Sequence, residues 1–265
     1  MYSTFTLLSK YLQYLMRAEN GKGHGVHSPF VFSFIKEVLN NKQVTPLAIQ
    51  IEAQRKALES NTQKIQVWDR GAGSRQNNQT ERAVKQIAKT ALKPKKYSQL
   101  LHKIVAYYKP AQILELGTSL GITTCYLAAG NINASVVTLE GAPNVAAIAK
   151  ETFNAVGLHH VQLMEGDFNK TLPAYLNQLD WVGLAYVDGN HRYEPTMLYF
   201  KSLLEKSTED SILIFDDIHW SDEMEKAWDE IKLHPAVTLT IDLFFIGLVF
   251  VRKAQKEKEH FIIRY

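Results

Sequence analysis

The sequence predicts an α/β chain: an open, mostly parallel sheet that ends in an antiparallel pair, with a helical lobe in front of it. Three observations predict this. First, apolar strand patterns at 112–116, 135–139, 161–164, 182–187 and 211–216 alternate with helical patterns, as in βα units around a parallel sheet. Second, residues 236–252, AVTLTIDLFFIGLVFVR, are two β-rich runs joined at Phe245-Ile246-Gly247. No crossover helix fits so short a connection, so this pair must be antiparallel. Third, residues 113–128, ILELGTSLGITTCYLA, read as a buried strand, a glycine turn and a helix start. Ile113, Leu114 and Leu116 surround Glu115 as in a strand covered on both faces. Gly117 and Gly121 bracket Thr118, Ser119 and Leu120. Such a turn lets a ligand approach the backbone and aims helix N–H groups at negative charge.

Composition sets the outer limits. A chain of 265 residues has room for one large α/β domain and an extra lobe. Its 46% apolar and 22% charged content is that of a soluble globular protein. No apolar run reaches the roughly 18 residues that would span a bilayer. The first residues lack a basic n-region, an apolar h-region and a cleavage site, so the expected location is the cytoplasm. A single cysteine, Cys125, suits a reducing compartment, and its place in the helix after the glycine turn suits packing. Net charge is +3, but residues 1–110 hold 18 Lys+Arg against 6 Asp+Glu, and residues 111–265 hold 12 against 21. The basic residues are scattered and not clustered with aromatics, which disfavours a nucleic-acid surface without excluding one.

Taken in order, residues 4–17 place Phe5, Leu8, Leu12 and Leu15 at helical spacing, with Leu7, Tyr11, Tyr14 and Met16 alongside. Docking on the chain's own core is the expectation for this helix. GKGHGVHSPF, 21–30, is a glycine-rich loop; His24 and His27 read as loop histidines. Ser28 as N-cap and Pro29 at the first helical position open a helix to about Leu39. Residues 46–60 read as a polar helix. KIQVWDRGAGSR, 64–75, offers a short strand and Gly71 and Gly73, but no third glycine follows, and no second strand ends in an acid about 20 residues on. It reads as a loop and not as a cofactor site. Helices are expected at 80–93 and 97–108, the second ended by Pro110. The lobe boundary is expected near residue 93, giving a helical basic lobe at 1–93 and an α/β domain at 94–265. KAQKEKEH, 253–260, reads as a charged exit.

Acids stand at successive strand ends. Glu140 closes VVTLE, 23 residues after Gly117, where a carboxylate can accept both ribose hydroxyls of a nucleotide. Asp167 follows the next strand in LMEGDF. LAYVD ends in Asp188 and SILIFDD in Asp216-Asp217. Parallel strands would bring these last three carboxylates to one sheet edge, where a hard cation such as Mg²⁺ would relieve their repulsion.

This ordered set, over roughly residues 95–252, resembles class I S-adenosylmethionine (SAM) methyltransferases, and within them metal-assisted small-molecule O-methyltransferases of the catechol and antibiotic-sugar types. The resemblance implies a Rossmann-like, seven-stranded sheet. It implies that Gly117, Thr118, Ser119 and Gly121 pass under the methionine part of SAM, with Glu115 holding the amino group through the loop. Ser119 stands where the family motif has its middle glycine. Glu140 would bind ribose, Asp167 adenine, and Phe168 would pack on its ring; Asp188 would also border SAM. Asp188, Asp216 and Asp217 match the family's Mg²⁺ ligands. His191, three residues after Asp188 where catechol-type enzymes carry lysine, is the first candidate for general base, and His219 the second. Trp220 and Trp228 are candidate walls of an acceptor pocket.

The reading is therefore SAM-dependent O-methylation of a small-molecule hydroxyl. Its rivals are a metal-free methyltransferase on RNA or another polyanion and a SAM-binding sensor that does not catalyse. The sequence leaves open whether the chain forms a homodimer and what receives the methyl group.

Overall fold

The computed structural model describes residues 1–68 and 79–265. The expected loop of Gly71 and Gly73 lies outside the described residues. In chain order the elements are α1 (Thr4–Arg17), α2 (Pro29–Phe34), a π-helical turn (Ile35–Leu39), α3 (Ala48–Ser60), β1 (Lys64–Trp68), β2 (Gln79–Ala83), α4 (Val84–Ala91), α5 (Lys95–Tyr108), β3 (Gln112–Leu116), α6 (Ile122–Gly130), β4 (Ser135–Glu140), α7 (Pro143–Val156), β5 (Gln162–Glu165), α8 (Phe168–Leu176), β6 (Val182–Val187), α9 (Tyr193–Glu205), β7 (Ser207–Asp216), α10 (Asp222–Leu233), β8 (Leu239–Asp242), β9 (Ile246–Phe250) and β10 (Glu259–Ile262). They form two compact units, Lys42–Asn177 and Met1–Asn41 with Gln178–Tyr265.

In the unit Lys42–Asn177, β3, β4 and β5 run parallel in that order. The aliphatic residues of β3 and β4 are all buried, and so are Glu115 and Thr138 among them, as in strands covered on both faces. α6 packs on β3, and α7 on β4 and β5. Residues 42–93 lie in this unit, and residues 1–41 in the other. α3 packs on α6 and α7, and β1 packs on α7. A buried polar cluster fixes α3. Arg55, 8% exposed, donates to Glu52 at 3.2 Å and to the Lys93 carbonyl at 2.9 Å, and Tyr126 donates to Glu52 at 2.9 Å. α5 ends as expected before Pro110, with Lys109 in the left-handed region at φ 48°. The helix expected over 80–93 is a correction: its first part is β2, antiparallel to β1, and only Val84–Ala91 is helical.

The other unit has the strand order β10-β8-β9-β7-β6. β6 and β7 are parallel, while β9 is antiparallel to both β7 and β8, so the expected terminal antiparallel pair is present. The expected charged exit is in part a strand: β10 runs parallel to β8. The main sheet therefore counts eight strands and not seven. α9 packs on β6, β7 and α10. Ser28 and Pro29 open α2 at its N-cap and first position, although the Ser28 side chain makes no capping bond. His24 and His27 are exposed in their loop. Trp228 is core, 1% exposed; a Cβ on Gly247 would lie 2.6 Å from its ring, so only glycine fits beneath it. Among the described residues no helix is long and apolar enough to cross a membrane.

Candidate functional site

The glycine turn after β3 is a braced structure. Glu115 is fully buried, and one of its carboxylate oxygens accepts from the Thr124 and Thr138 hydroxyls, the latter at 2.7 Å. Thr138 stands directly across from Glu115 in the β3–β4 register. The Thr118 and Thr138 hydroxyls meet at 2.6 Å. A buried carboxylate without donors would cost several kcal/mol; here hydroxyls from three sides of the turn supply polar contact. Thr138 and Thr124 were missed in the sequence. The available signal was a threonine in an aliphatic strand beside a strand that carries a buried acid.

The turn then bends sharply. Gly117 has φ 103° and Gly121 φ 85°, both in the region that favours glycine. Gly121 is also pressed by its surroundings: a Cβ there would lie 2.7 Å from the Phe153 ring and 3.3 Å from the Ala149 backbone on α7. Ser119, in place of the motif's middle glycine, adopts φ 49°. Its N–H donates to Glu140 Oε2 at 2.9 Å, which holds this strained residue in place.

Glu140 thus ties the tip of β4 to the turn. Its Oε1 accepts the Ala142 N–H at 2.9 Å. Burial raises the Glu140 pKa, and the N–H bonds from Ala142, Ser119 and Gly141 pull it back toward the ionised form. A carboxylate has about four acceptor positions, so beside these three N–H groups Glu140 keeps about one for a hydroxyl donor such as that of a ribose. Asp167, at the mouth of the next strand, is the N-cap of α8, with Oδ1 accepting the Asn169 N–H at 3.0 Å. Phe168 follows it, partly exposed. Cys125 is buried behind the turn, where burial pushes its thiol well above the usual range. It is a packing residue and not a nucleophile.

The other unit carries the remaining candidates. β6 is buried along its whole length and delivers Asp188 at its end. The Tyr186 hydroxyl donates to Asp188 Oδ2 at 3.0 Å, and His191 Nε2 lies 3.5 Å from Asp188 Oδ1. Asn190 between them takes φ 62°, which turns the chain so that His191 faces back to the carboxylate. At the end of β7, Asp216 is 1% exposed. Asp217 has φ 53°, and its N–H donates to the Phe245 carbonyl at 2.6 Å.

Among the described residues no group of three or more His, Cys, Asp or Glu side chains is arranged to hold a metal ion. Asp188 lies beside Tyr186 and His191, and Asp216 is buried. His219, the alternative base, is engaged at both ring nitrogens. Its Nδ1 lies 3.1 Å from Glu225 and its Nε2 2.8 Å from Asp242, and the ring stacks on Phe244 at 5.2 Å. Burial works against its charge, but the bonds and charges of Asp242 and Glu225 outweigh that and raise its pKa to about 9. A ring that holds its proton with both nitrogens engaged is an anchor and not a proton acceptor. Trp220 is partly exposed in this loop, its carbonyl accepting the Tyr2 N–H at 3.0 Å.

Residues 114–218 match a family model described as a methyltransferase domain. Solved structures share the fold. One is an O-methyltransferase from Bacillus cereus in complex with SAH, 19% identical, with TM-score 0.56 over 83% of this chain and 97% of that one. Another is the SAH-bound methyltransferase PaMTH1 from Podospora anserina, 15% identical, with TM-score 0.59 over 86% and 97%. A third is the O-methyltransferase TomG from Streptomyces achromogenes, involved in tomaymycin synthesis and in complex with SAM, 19% identical, with TM-score 0.54 over 61% and 82%. No curated protein sequence matches the chain. The chain thus has the fold of these solved methyltransferases, and residues 114–218 within it match a methyltransferase domain.

Proposed function

We propose that the protein transfers a methyl group from SAM to a hydroxyl of a small molecule. The observation that carries this reading is Glu140, held at the tip of β4 by the Ser119 and Ala142 N–H groups with acceptor capacity to spare. This fits a ribose hydroxyl beside a turn where Gly117 and Gly121 leave the backbone open to the methionine part of SAM. Asp167 and Phe168 are the proposed adenine contacts. The solved O-methyltransferases of similar fold, two of them with SAM or SAH, support oxygen as the methyl acceptor.

SAM, when bound, supplies the methyl on a sulfonium, which is already a good leaving group. The protein's share is position and proton removal. His191 is the proposed base: its Nε2 takes the proton of the acceptor hydroxyl as the oxygen–methyl bond forms and the carbon–sulfur bond breaks, leaving methyl ether and SAH. Asp188 steadies the imidazolium that results, and the Tyr186 hydroxyl fixes the orientation of Asp188.

The test is a methyl-transfer assay with isotope-labelled SAM and a panel of phenols and sugars, in EDTA and in Mg²⁺. Labelled ether that is lost in His191→Ala is the expected result, and the difference between the two arms reads the assistance that Mg²⁺ gives. Label that appears only in RNA contradicts the reading.

A further inference from the structure

The loop that carries His191 is pinned at both ends, by different means. At its start Asp188 is fixed by β6, a strand buried along its whole length, and by the Tyr186 hydroxyl. At its end the loop runs into α9 at Tyr193. Only Arg192 separates His191 from that helix, so the place where α9 begins sets the place of His191.

α9 does not fix its own start. Its N-cap residue is Arg192, a side chain without an acceptor, and it makes no capping bond. The cap comes from α10. The Tyr193 N–H donates to Glu223 Oε2 at 3.0 Å, which satisfies an orphan donor of the first turn and sets a carboxylate at the positive end of the helix. Lys226 Nζ lies over the Tyr193 ring, 4.0 Å from its centroid. The Tyr193 hydroxyl donates to Glu230. That bond raises the Tyr193 pKa and keeps the hydroxyl protonated, so Tyr193 is not itself a base.

Glu223, Lys226 and Glu230 follow one another at helical spacing on one face of α10, and Tyr193 is held along that face at three points. Glu223 and Lys226 are exposed, and exposed charge contacts contribute little to stability. What the three contacts fix is position. Asn190 inside the loop is tied to α9 as well: at φ 62° its Nδ2 donates to the Tyr199 hydroxyl at 3.4 Å. We propose that Tyr193, clasped by Glu223, Lys226 and Glu230, is a positioning residue for methyl transfer: it holds the first turn of α9 so that His191 Nε2 stays 3.5 Å from Asp188. This rests on the reading of His191 as the base.

The experiment compares the full chain with Tyr193→Ala/Glu223→Ala, which breaks the clasp, and with Tyr193→Phe/Glu223→Gln, which keeps a ring for Lys226 and an acceptor for the N–H. One readout needs no turnover: modification of His191 by diethyl pyrocarbonate, followed by peptide mass spectrometry. It is expected to be about tenfold faster in the alanine variant and close to wild type in the conservative one. His219, locked in the same unit, should stay protected in all three, which separates a loosened loop from unfolding. The second readout is kcat. The alanine variant is expected to lose about tenfold or more with the acceptor KM and SAH affinity unchanged, and to lose nothing further in a His191→Ala background. An unchanged modification rate at His191 overturns the inference. So does an equal fall in kcat in both backgrounds, which would make the clasp merely structural. A fully active His191→Ala contradicts the base reading and with it the role in methyl transfer, while the modification rate separately decides whether Tyr193 holds His191.

Discussion

The ends of β4 and β6 both present a carboxylate, and the two are built differently. At Glu140 both oxygens accept main-chain N–H groups, so the acid is set by the backbone of the glycine turn itself. At Asp188 the structure shows side-chain partners, the Tyr186 hydroxyl and the His191 ring. A backbone-held carboxylate is a fixed mould, suited to a cofactor that always has the same shape. A carboxylate held by side chains can follow a proton as it moves to a neighbouring ring. The end of β7 provides a third case. There His219 is locked between two acids, Glu225 and Asp242.

Four variants test this contrast. His191→Ala removes the proposed proton acceptor, and kcat is expected to fall about 1000-fold, while SAH affinity, measured by calorimetry, stays within about twofold. A parallel loss of SAH affinity would mean that the end of β6 is part of the mould. His219→Leu leaves Asp242 and Glu225 without their shared cation and is expected to cost about 3 kcal/mol in urea unfolding. Its pH dependence has a definite sign. Because the folded pKa of His219 is raised to about 9 from an ordinary 6.5, its stabilisation is present in full below pH 6.5 and is lost as pH rises through about 9. Wild-type stability should fall over that window, and that of His219→Leu should not. Gly121→Ala puts a methyl against Phe153 at a positive φ, with an expected loss of about 2 kcal/mol. Thr138→Val takes one hydroxyl from Glu115 and is expected to cost about 1 kcal/mol by the same unfolding measurement.

The features that were legible in the sequence are those with local causes. The β3 turn, the acid closing β4, the alternation of strands and helices and the antiparallel end of the sheet all follow from periodicity and from glycine placement. The features that were missed have non-local causes. QTERA at 79–83 carries good helix formers, and only pairing with β1, including Lys64 on Glu81 at 3.0 Å, makes it β2. β10 lies at the sheet's edge, where charged residues are normal, so its Glu259-His260 start reads as a tail. Periodicity also places Asp188, Asp216 and Asp217 at strand ends but says nothing of where their side chains turn. The left-handed backbone at Asn190 and Asp217 decides that. The apolar spacing of α1 was visible, but which face the core would take depended on Phe244 and Glu225, more than 200 residues away.

The measurement closest to the central claim is calorimetric titration of SAM into the wild-type protein and into Glu140→Ala. Saturable binding at micromolar SAM is expected for the wild type. In the variant the affinity should be weaker by about 30-fold, as suits loss of a charge-assisted hydroxyl bond, and SAH should show the same difference. Wild-type protein that takes up no SAM at millimolar concentration, or a Glu140→Ala variant that binds as tightly as the wild type, would contradict the account.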